Sequence, residues 1–336
     1  MNTNEQQNTE VPLLLDVDTG TDDALAILYL LAHPRARLLG ITTAAGNVSA
    51  AQATANTRNI LEWSGYDDIP VVQGADAPLY RPWAGIKRDF HGEDGLGNWA
   101  EPVTPDNAAL TTESAAQFLV RHINEHPQAL TLVFVGRLTN LAEALALDST
   151  LPSKVKKLVI MGGALRSKGN ITPYAESNIH GDPEAADIVF RAGFPLVMTG
   201  LDVTFQAMLQ SGHAADIDER LAVQQPQVAK LIRHVLQFRM KAYESKHGIY
   251  ASPLHDPLAA AVALEPWLVT TELVKARIQL QPEDQLGRTL EVTNDTDPHF
   301  TPIHVCTEVK VDEFLAHFID ILALHGKDQH DARHHD

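Results

Sequence analysis

Four aspartates lie within eight residues near the start of the chain: Asp16, Asp18, Asp22 and Asp23. They directly follow an apolar run at residues 11–15, which is typical of a buried strand. Carboxylates this close repel one another, and burial penalises each charged group further. A bound cation removes both costs, and carboxylate oxygens with no cysteine or histidine beside them favour a hard ion such as Ca²⁺ or Mg²⁺. The cluster therefore predicts a metal site at a strand end, which indicates catalysis.

Short apolar strands alternate with helical patterns along the chain, and these elements must position the aspartates. The predicted strands cover residues 11–15, 38–45, 69–72, 130–135, 155–161 and 195–201, and the predicted helices cover 22–32, 50–63, 138–147, 183–192 and 311–324. Residues 206–263 are predicted to be largely helical, and 274–309 to add a few strands. Apolar strands separated by helices are typical of a parallel sheet covered on both faces. We expect an α/β fold: one domain with a Rossmann-like, open, mostly parallel sheet and helices on both faces.

Polar and glycine residues follow other predicted strands as well. Asn47 follows the second strand, Gly136 the fourth, and Gly162 and Gly163 the fifth. Ligands of an open parallel sheet bind beyond the carboxyl ends of its strands. Any one of these residues alone is explained as a turn residue. Several strand ends that point to one edge favour a single site there.

Three further segments combine a structural explanation with a functional one. Asp256 precedes a proline and fits a helix N-cap, yet a rigid helix start would also aim His255 and Asp256 at a site. Glu176 and Asn178 alternate along the chain, as groups that bind neighbouring hydroxyls do. The glycine-rich loop 90–97 is either a surface loop or a segment that moves over a site. The helix dipole explains one of the early aspartates but not the whole cluster.

The composition narrows the class of protein. A net charge of −17 over 336 residues argues against binding to nucleic-acid polymers or anionic membranes. No apolar run approaches the roughly 18 to 20 residues that span a membrane, and residues 1–10 lack the pattern of a signal peptide. The single cysteine, Cys306, excludes an intrachain disulfide and fits a reducing compartment. We expect a soluble cytoplasmic protein, with a domain at 11–324 between polar tails at 1–10 and 325–336.

Taken in order, the motifs resemble the signature of the inosine–uridine-preferring nucleoside hydrolase family, over residues 11–324. The matching segments are Asp16-Val-Asp-Thr-Gly-Thr-Asp-Asp-Ala-Leu-Ala, Ala45-Gly-Asn, His91-Gly-Glu-Asp-Gly-Leu-Gly, Gly136-Arg-Leu-Thr-Asn, Met161-Gly-Gly, Glu176-Ser-Asn and His255-Asp-Pro. The resemblance implies hydrolysis of the N-glycosidic bond of ribonucleosides to ribose and free base, in nucleoside salvage and catabolism. It also implies a homo-oligomer, either a tetramer or a dimer.

The resemblance also implies a role for each matching residue. Asp18 would be the general base for the attacking water, and Ca²⁺ would be held by Asp18, Asp23 and Asp256 with the Val135 carbonyl. His255 would lie near the departing base as its proton donor, which is typical of the histidine-containing branch of the family. The residues implied to bind substrate are Asp22, Asn47, His91, Met161, Asn170, Glu176, Asn178, Tyr243 and Asp256. Asp16 would support the site from behind.

Two other functions stay open from the residues alone. One is a Mg²⁺-dependent phosphatase with Asp16 as nucleophile, although such enzymes have Gly before Thr where this chain has Thr19-Gly20. The other is a protein that binds nucleosides without cleaving them. The preference between purine and pyrimidine bases is not settled by the sequence, and we expect pyrimidine or broad specificity.

Overall fold

A nine-stranded sheet forms the centre of the protein in the computed structural model, which describes residues 9–99, 112–292 and 300–325. The strands are β1 (Val11–Val17), β2 (Ala36–Thr43), β3 (Val71–Gln73), β4 (Thr131–Phe134), β5 (Lys157–Met161), β6 (Leu196–Thr199), β7 (Met208–Gln210), β8 (Ala251–Pro253), β9 (Val269–Ile278), β10 (Thr289–Glu291) and β11 (Pro302–Val309). Their order in the large sheet is β10-β9-β11-β6-β5-β4-β1-β2-β3. All neighbours from β11 to β3 pair in parallel, whereas β9 and β10 are antiparallel at one edge. Strands β7 and β8 form a separate antiparallel pair.

Helices cover both faces of the sheet. They are α1 (Thr21–Ala32), α2 (Ala50–Ser64), α3 (Arg88–His91), α4 (Ala115–Glu125), α5 (Thr139–Leu147), α6 (Ser177–Gly181), α7 (Pro183–Arg191), α8 (Leu201–Thr204), α9 (Ser211–Leu221), α10 (Pro226–His247), α11 (His255–Leu264) and α12 (Val311–Leu322). Among the described residues, no helix is both long and apolar enough to cross a membrane. The predicted α/β fold with a mostly parallel sheet is confirmed.

Two apolar cores form because side chains alternate between the faces of a strand. Leu13 and Leu15 of β1 belong to one core, together with α1, α10, α11 and α12, whereas Leu14 belongs to the other, together with α4, α5 and α7. Every residue of α1 is buried, so this helix lies between the sheet and the outer helices. The carboxyl ends of the parallel strands meet at one edge, where α1 and α11 begin.

The boundaries of several elements differ from those predicted. Strand β1 extends through Asp16 and Val17, because both residues continue its pairing with β2. The stretch predicted to be largely helical also contains β7 and β8, which are only three residues long and pair across more than one helix. Residues 1–8 and 326–336 of the predicted tails lie outside the described residues. His325, predicted to begin the second tail, is instead buried, with Nε2 at 2.7 Å from the Leu28 carbonyl.

Candidate active site

Three carboxylates from two helix starts meet at the carboxyl edge of the sheet. Asp22 and Asp23 lie in the first turn of α1, and Asp256 lies in the first turn of α11, which packs against α1. One oxygen from each side chain lies within 4.8 Å of the other two, and all three residues are buried. Asp256 follows Asp23 by 233 residues in the sequence, so only the fold brings them together.

Asp23 also shapes the turn that leads into α1. Its carboxylate accepts hydrogen bonds from the backbone N–H of Gly20 at 2.8 Å and of Asp18 at 3.1 Å. Gly20 is the N-cap and offers no side chain, so Asp23 satisfies N–H groups at the start of the helix. A carboxylate in a first helical turn also interacts favourably with the helix dipole. Asp23 therefore satisfies the start of the helix and at the same time belongs to the carboxylate cluster, so its structural and functional explanations are compatible.

The Asp18 carboxylate is enclosed and held by Asn47. The Asn47 backbone N–H donates to Oδ2 at 2.9 Å, and its Nδ2 donates to Oδ1 at 2.9 Å. A Cβ atom at Gly46 would lie only 1.7 Å from Oδ2. Burial raises the pKa of Asp18, and the positive charges of Lys87 and Arg137 only partly oppose this shift. A carboxylate with a raised pKa is a stronger base than one in water.

The charges of the cluster fit a divalent cation. Burial and then the charges of neighbouring aspartates raise the pKa values of Asp23 and Asp256 well above the usual range. Burial also acts on Asp22, but Arg239 and two histidines outweigh it, so the pKa of Asp22 is lowered. Arg239 Nη1 lies 3.0 Å from Asp22 Oδ1. Buried carboxylates that resist ionisation, with oxygen as the only donor element, suit Ca²⁺ or Mg²⁺.

A cavity of about 500 Å³ opens beside the cluster. Eleven of the thirteen predicted site residues line it: Asp22, Asn47, His91, Val135, Met161, Asn170, Glu176, Asn178, Tyr243, His255 and Asp256. The other two, Asp18 and Asp23, lie beneath the cavity wall and accept hydrogen bonds from Asn47. The strand ends and helix starts therefore converge on one site.

Asp16 does not line this cavity. It is fully buried in β1, where Oδ2 accepts hydrogen bonds from Thr42 Oγ1 at 2.5 Å and from Asn140 Nδ2 at 2.7 Å. Burial raises the pKa of Asp16 to about 7, despite these two hydrogen bonds. A nucleophile must reach its substrate, so this position agrees with a supporting role and disfavours the phosphatase alternative.

The segment from Glu176 to Asn178 forms one wall of the cavity. Asn178 Nδ2 donates to the carbonyls of Val135 at 2.7 Å and Met161 at 3.1 Å. Glu176 is the N-cap of α6, and its carboxylate accepts hydrogen bonds from three backbone N–H groups. Through these hydrogen bonds, both residues connect the ends of β4 and β5 to α6. Both residues also line the cavity.

Two histidines at the cavity are neutral at pH 7. Burial lowers the pKa of His91 to about 3 and that of His255 to about 4. His91 Nδ1 accepts a hydrogen bond from the Thr21 backbone N–H at 3.2 Å, which leaves the proton of the neutral ring on Nε2. His255 Nδ1 lies 2.8 Å from Thr204 Oγ1. His91 thus packs directly against the start of α1.

Aromatic rings gather at the end of the cavity where α10 and α8 approach it. The Phe205 ring lies edge-on to the His255 ring, with centroids 5.4 Å apart. Tyr243 lies 4.3 Å from the ring of His247, also between centroids. Flat rings of this kind suit stacking against a flat heterocycle.

Two cations of the cavity were not assigned a role from the sequence. Arg239 is buried on the otherwise apolar face of α10, and a charge on such a face is a signal that sequence reasoning can use. Lys87 lies in a polar loop segment, where a lysine carries no such signal. In the structure it lines the cavity and its Nζ donates a hydrogen bond to Ser177 Oγ.

The fold is α/β, and its site is a cluster of buried carboxylates at the carboxyl edge of the sheet that could hold a metal ion. The model of the inosine-uridine preferring nucleoside hydrolases matches residues 13–316. The chain belongs to this family, whose members are ribonucleoside hydrolases that cleave an N-glycosidic bond.

Named relatives agree with this assignment. Uridine nucleosidase 1 of Arabidopsis thaliana is 36% identical over 312 residues, which is 90% of each chain. Pyrimidine-specific ribonucleoside hydrolase RihA of Shewanella oneidensis is 41% identical over 280 residues, covering 83% of this chain and 86% of that protein.

Two solved structures resemble the whole fold. A plant nucleoside hydrolase superposes with a TM-score of 0.86 at 32% identity, covering 93% of this chain and 99% of the other. A purine-preferring ribonucleoside hydrolase from Gardnerella vaginalis superposes with a TM-score of 0.85 at 33% identity, covering 93% and 98%. This architecture is therefore shared with a nucleoside hydrolase that is named as purine-preferring.

Proposed function

We propose that this protein is a Ca²⁺-dependent hydrolase of ribonucleosides, with Asp18 as general base and ribose and free base as products. One observation carries the proposal: the cluster of Asp22, Asp23 and Asp256 lies at one end of a cavity whose walls carry amide and carboxylate groups suited to a sugar. A metal-binding cluster alone does not identify the substrate. The polar walls and the aromatic end of the adjoining cavity are the features that favour a nucleoside.

The cation would be held by Asp18, Asp23 and Asp256 with the Val135 carbonyl, and Asp22 lies close enough to contribute. The oxygen-only donor set and the raised pKa values of Asp23 and Asp256 support this assignment. When bound, Ca²⁺ supplies positive charge that orients a water molecule and two ribose hydroxyls. Ca²⁺ acidifies water much less than zinc does, so a protein base is still needed.

Asp18 fills the role of that base. Asn47 fixes both of its carboxylate oxygens, and a carboxylate held in one position beside the attacking water can take its proton. The scissile bond joins C1′ of the ribose to a ring nitrogen, and its cleavage passes through a positively charged, oxocarbenium-like sugar. The nearby carboxylates of Asp22 and Glu176 stabilise this developing charge.

The other cavity groups bind and orient the substrate. We assign the ribose to Asp22, Asn47, Met161, Asn170, Glu176, Asn178 and Asp256, and the base to His91, Tyr243 and His255. Fixing the sugar in one orientation lowers the entropic part of the barrier. The neutral His255 ring would donate a hydrogen bond to the departing base, and transfer of a proton to that base would require the protonated, imidazolium form of His255.

We further propose that uridine and related pyrimidine nucleosides are favoured. The two relatives compared by sequence are named for uridine and pyrimidine substrates, at 36% and 41% identity. The purine-preferring relative is 33% identical to this chain, so broad specificity for both types of base is the second candidate. A cytoplasmic location, expected from the composition, and a homotetramer or homodimer, implied by the sequence resemblance, complete the proposal.

The first test is a panel of nucleosides assayed for released ribose, with Asp18→Asn beside the wild type. General-base catalysis contributes about 10² to 10⁴ in rate, so Asp18→Asn is expected to lower kcat by at least about 100-fold while the protein stays folded. The exposed aspartate Asp312, in the first turn of α12, supplies the matched control Asp312→Asn, with kcat unchanged. Wild-type turnover of uridine by Asp18→Asn would exclude Asp18 as the base.

The same panel separates the alternatives. Release of phosphate from phosphate esters with Mg²⁺, without release of ribose, would favour a phosphatase. Saturable binding of uridine without any free base would favour a binding protein. Exhaustive removal of Ca²⁺ with a chelator is expected to abolish turnover, and re-addition to restore it. Activity that persists without Ca²⁺ would contradict the metal assignment.

A further inference from the structure

We propose that Lys87 determines specificity at the sugar, by donating a hydrogen bond from its ammonium group to the 5′-hydroxyl of the ribose. The inference rests on the proposed function and adds to it a residue that the family motifs do not include. It also names a substrate class: nucleosides that carry a free 5′-hydroxyl.

The residues that line the cavity fall into three chemical groups, each of which is called a part of the cavity below. The carboxylates of Asp22 and Asp256 form the first part, and the rings of Phe205 and Tyr243 belong to the second. A ribonucleoside also has three parts: the 2′,3′-diol, the base on C1′, and the hydroxymethyl group on C4′. The diol suits the carboxylate part with its cation, and the base suits the aromatic part. The third part of the cavity is therefore left for the 5′-hydroxyl.

Lys87 belongs to this third part, together with Ser177 and Asn170. Its Nζ donates to Ser177 Oγ, and the Ser177 backbone N–H in turn donates to Asn170 Oδ1 at 2.9 Å. All three residues line the cavity. An ammonium group has three donors, so the bond to Ser177 leaves donors for a ligand. The Lys87 backbone N–H donates to the Asn47 carbonyl at 3.0 Å, which fixes the segment that carries the side chain.

The surroundings of Lys87 favour a neutral hydroxyl over a phosphate. Burial lowers the pKa of Lys87, and the carboxylates of Asp18 and Glu176 oppose this shift by attracting its charge. A phosphate dianion would bring two negative charges against the one positive charge of Lys87, and burial penalises the charge that is left unpaired. A hydroxyl accepts the hydrogen bond without adding charge.

Lys87→Met tests the assignment, because methionine keeps the length of the side chain and removes its donors. We expect kcat/KM for uridine to fall at least about tenfold and that for 5′-deoxyuridine to change by less than about twofold, because a donor built for a hydroxyl discriminates only substrates that carry one. Equal losses on both substrates would overturn the proposal. Faster turnover of uridine 5′-monophosphate than of uridine by the wild type would also overturn it.

Two lysines supply controls. Lys246 also lines the cavity, where its Nζ lies 2.7 Å from Asp89 Oδ2 and tethers the same segment, so Lys246→Met should leave the ratio of uridine to 5′-deoxyuridine unchanged. A changed ratio in that variant would show that the tether, and not the donor of Lys87, sets the specificity. Lys154 pairs with Asp148 at 2.8 Å away from the cavity, and Lys154→Met should change neither constant.

A binding measurement keeps this inference separate from the proposed function. Calorimetry with 1,4-dideoxy-1,4-imino-ribitol and its 5-deoxy counterpart measures recognition of the sugar without hydrolysis. Lys87→Met is expected to weaken binding of the first compound at least about tenfold and of the second by less than about twofold. If the wild type binds these sugars but releases no base from any nucleoside, the proposed function fails while the role of Lys87 is still decided. Equal affinity of the wild type for the two compounds would overturn that role.

Discussion

The position of the Asp18 carboxylate depends on Gly46, a neighbouring residue that has no side chain. Its two oxygens are fixed by Asn47, and the space beside Oδ2 is open only because residue 46 is glycine. A Cβ atom added at residue 46 would also lie 2.5 Å from the Asp18 Cγ atom, so no small rotation of the carboxylate avoids the clash. The position of the proposed base is therefore set by the backbone of the β2–α2 connection.

Gly46→Ala is expected to displace Asp18 and to lower kcat/KM by at least about 100-fold, because a shift of about 1 Å in a catalytic group costs roughly that much. The measurement is uridine hydrolysis by the purified variant, together with a circular-dichroism melt. Gly212→Ala is the matched control, since a Cβ there meets nothing within 4 Å at the exposed start of α9. Wild-type kcat/KM in Gly46→Ala would show that the proposed reaction does not depend on this geometry of Asp18.

At the scale of elements, periodicity in the sequence was enough to predict the parallel part of the sheet. Apolar runs of four to eight residues separated by amphipathic helices lead to β1, β2 and β4 to β6 with errors of one or two residues at most ends. The antiparallel pair β7 and β8 was missed, since strands of three residues carry too little pattern. Local patterns also do not reveal which distant partner completes such a short strand.

The site was predictable where strand ends and helix starts carry the residues. A predicted helix start aimed Asp256 at a site, but the place of Asp256 and Asn178 beside the aspartate cluster was implied by the resemblance to the family, since the five residues of α6 carry no helical pattern. The ion pair between Asp22 and Arg239 could not be foreseen, because it depends on how α10 packs across the start of α1. Lys87 was missed for a similar reason, since only its contacts with Asn47 and Ser177 place it at the cavity.

The contact between the end of α12 and α1 gives the fold a measurable pH dependence. Burial lowers the pKa of His325 to about 4, below the usual value of 6.5. The unfolded chain therefore binds a proton at a higher pH than the folded one, so this stability is complete above pH 6.5 and is lost as the pH falls toward 4. The loss amounts to at most about 3 kcal/mol, from 1.36 kcal/mol per pKa unit.

His325→Gln keeps a donor that can reach the Leu28 carbonyl but does not titrate. In urea unfolding between pH 7 and pH 4, we expect the wild type to lose more stability than the variant. His304→Gln controls for the loss of an exposed histidine. Parallel pH profiles for wild type and His325→Gln would show that His325 does not titrate in the folded protein as inferred.

At the scale of the whole molecule, the cation site and the fold stabilise each other. The carboxylates of Asp23 and Asp256 are far apart in sequence and meet only when α1 and α11 pack together. An ion that binds all of them therefore binds the folded state alone and stabilises it by mass action. Without the ion, the same buried charges repel one another and oppose folding. The protein should thus respond to Ca²⁺ in its stability as well as in its activity.

Asp256→Asn separates these two effects, because it removes one charge while nearly keeping the shape of the side chain. For the wild type, free Ca²⁺ at 100 times its Kd should add about 2.7 kcal/mol to the free energy of unfolding. For Asp256→Asn we expect a higher Tm than the wild type in chelator, since one repelled carboxylate is gone, and a much smaller rise in Tm on adding Ca²⁺. Thermal melts across a Ca²⁺ titration measure both quantities, with Asp312→Asn expected to behave as the wild type. An unchanged rise in Tm with Ca²⁺ in Asp256→Asn would contradict the role of Asp256 as a ligand, and a lower Tm in chelator would contradict the repulsion that the raised pKa of Asp256 implies.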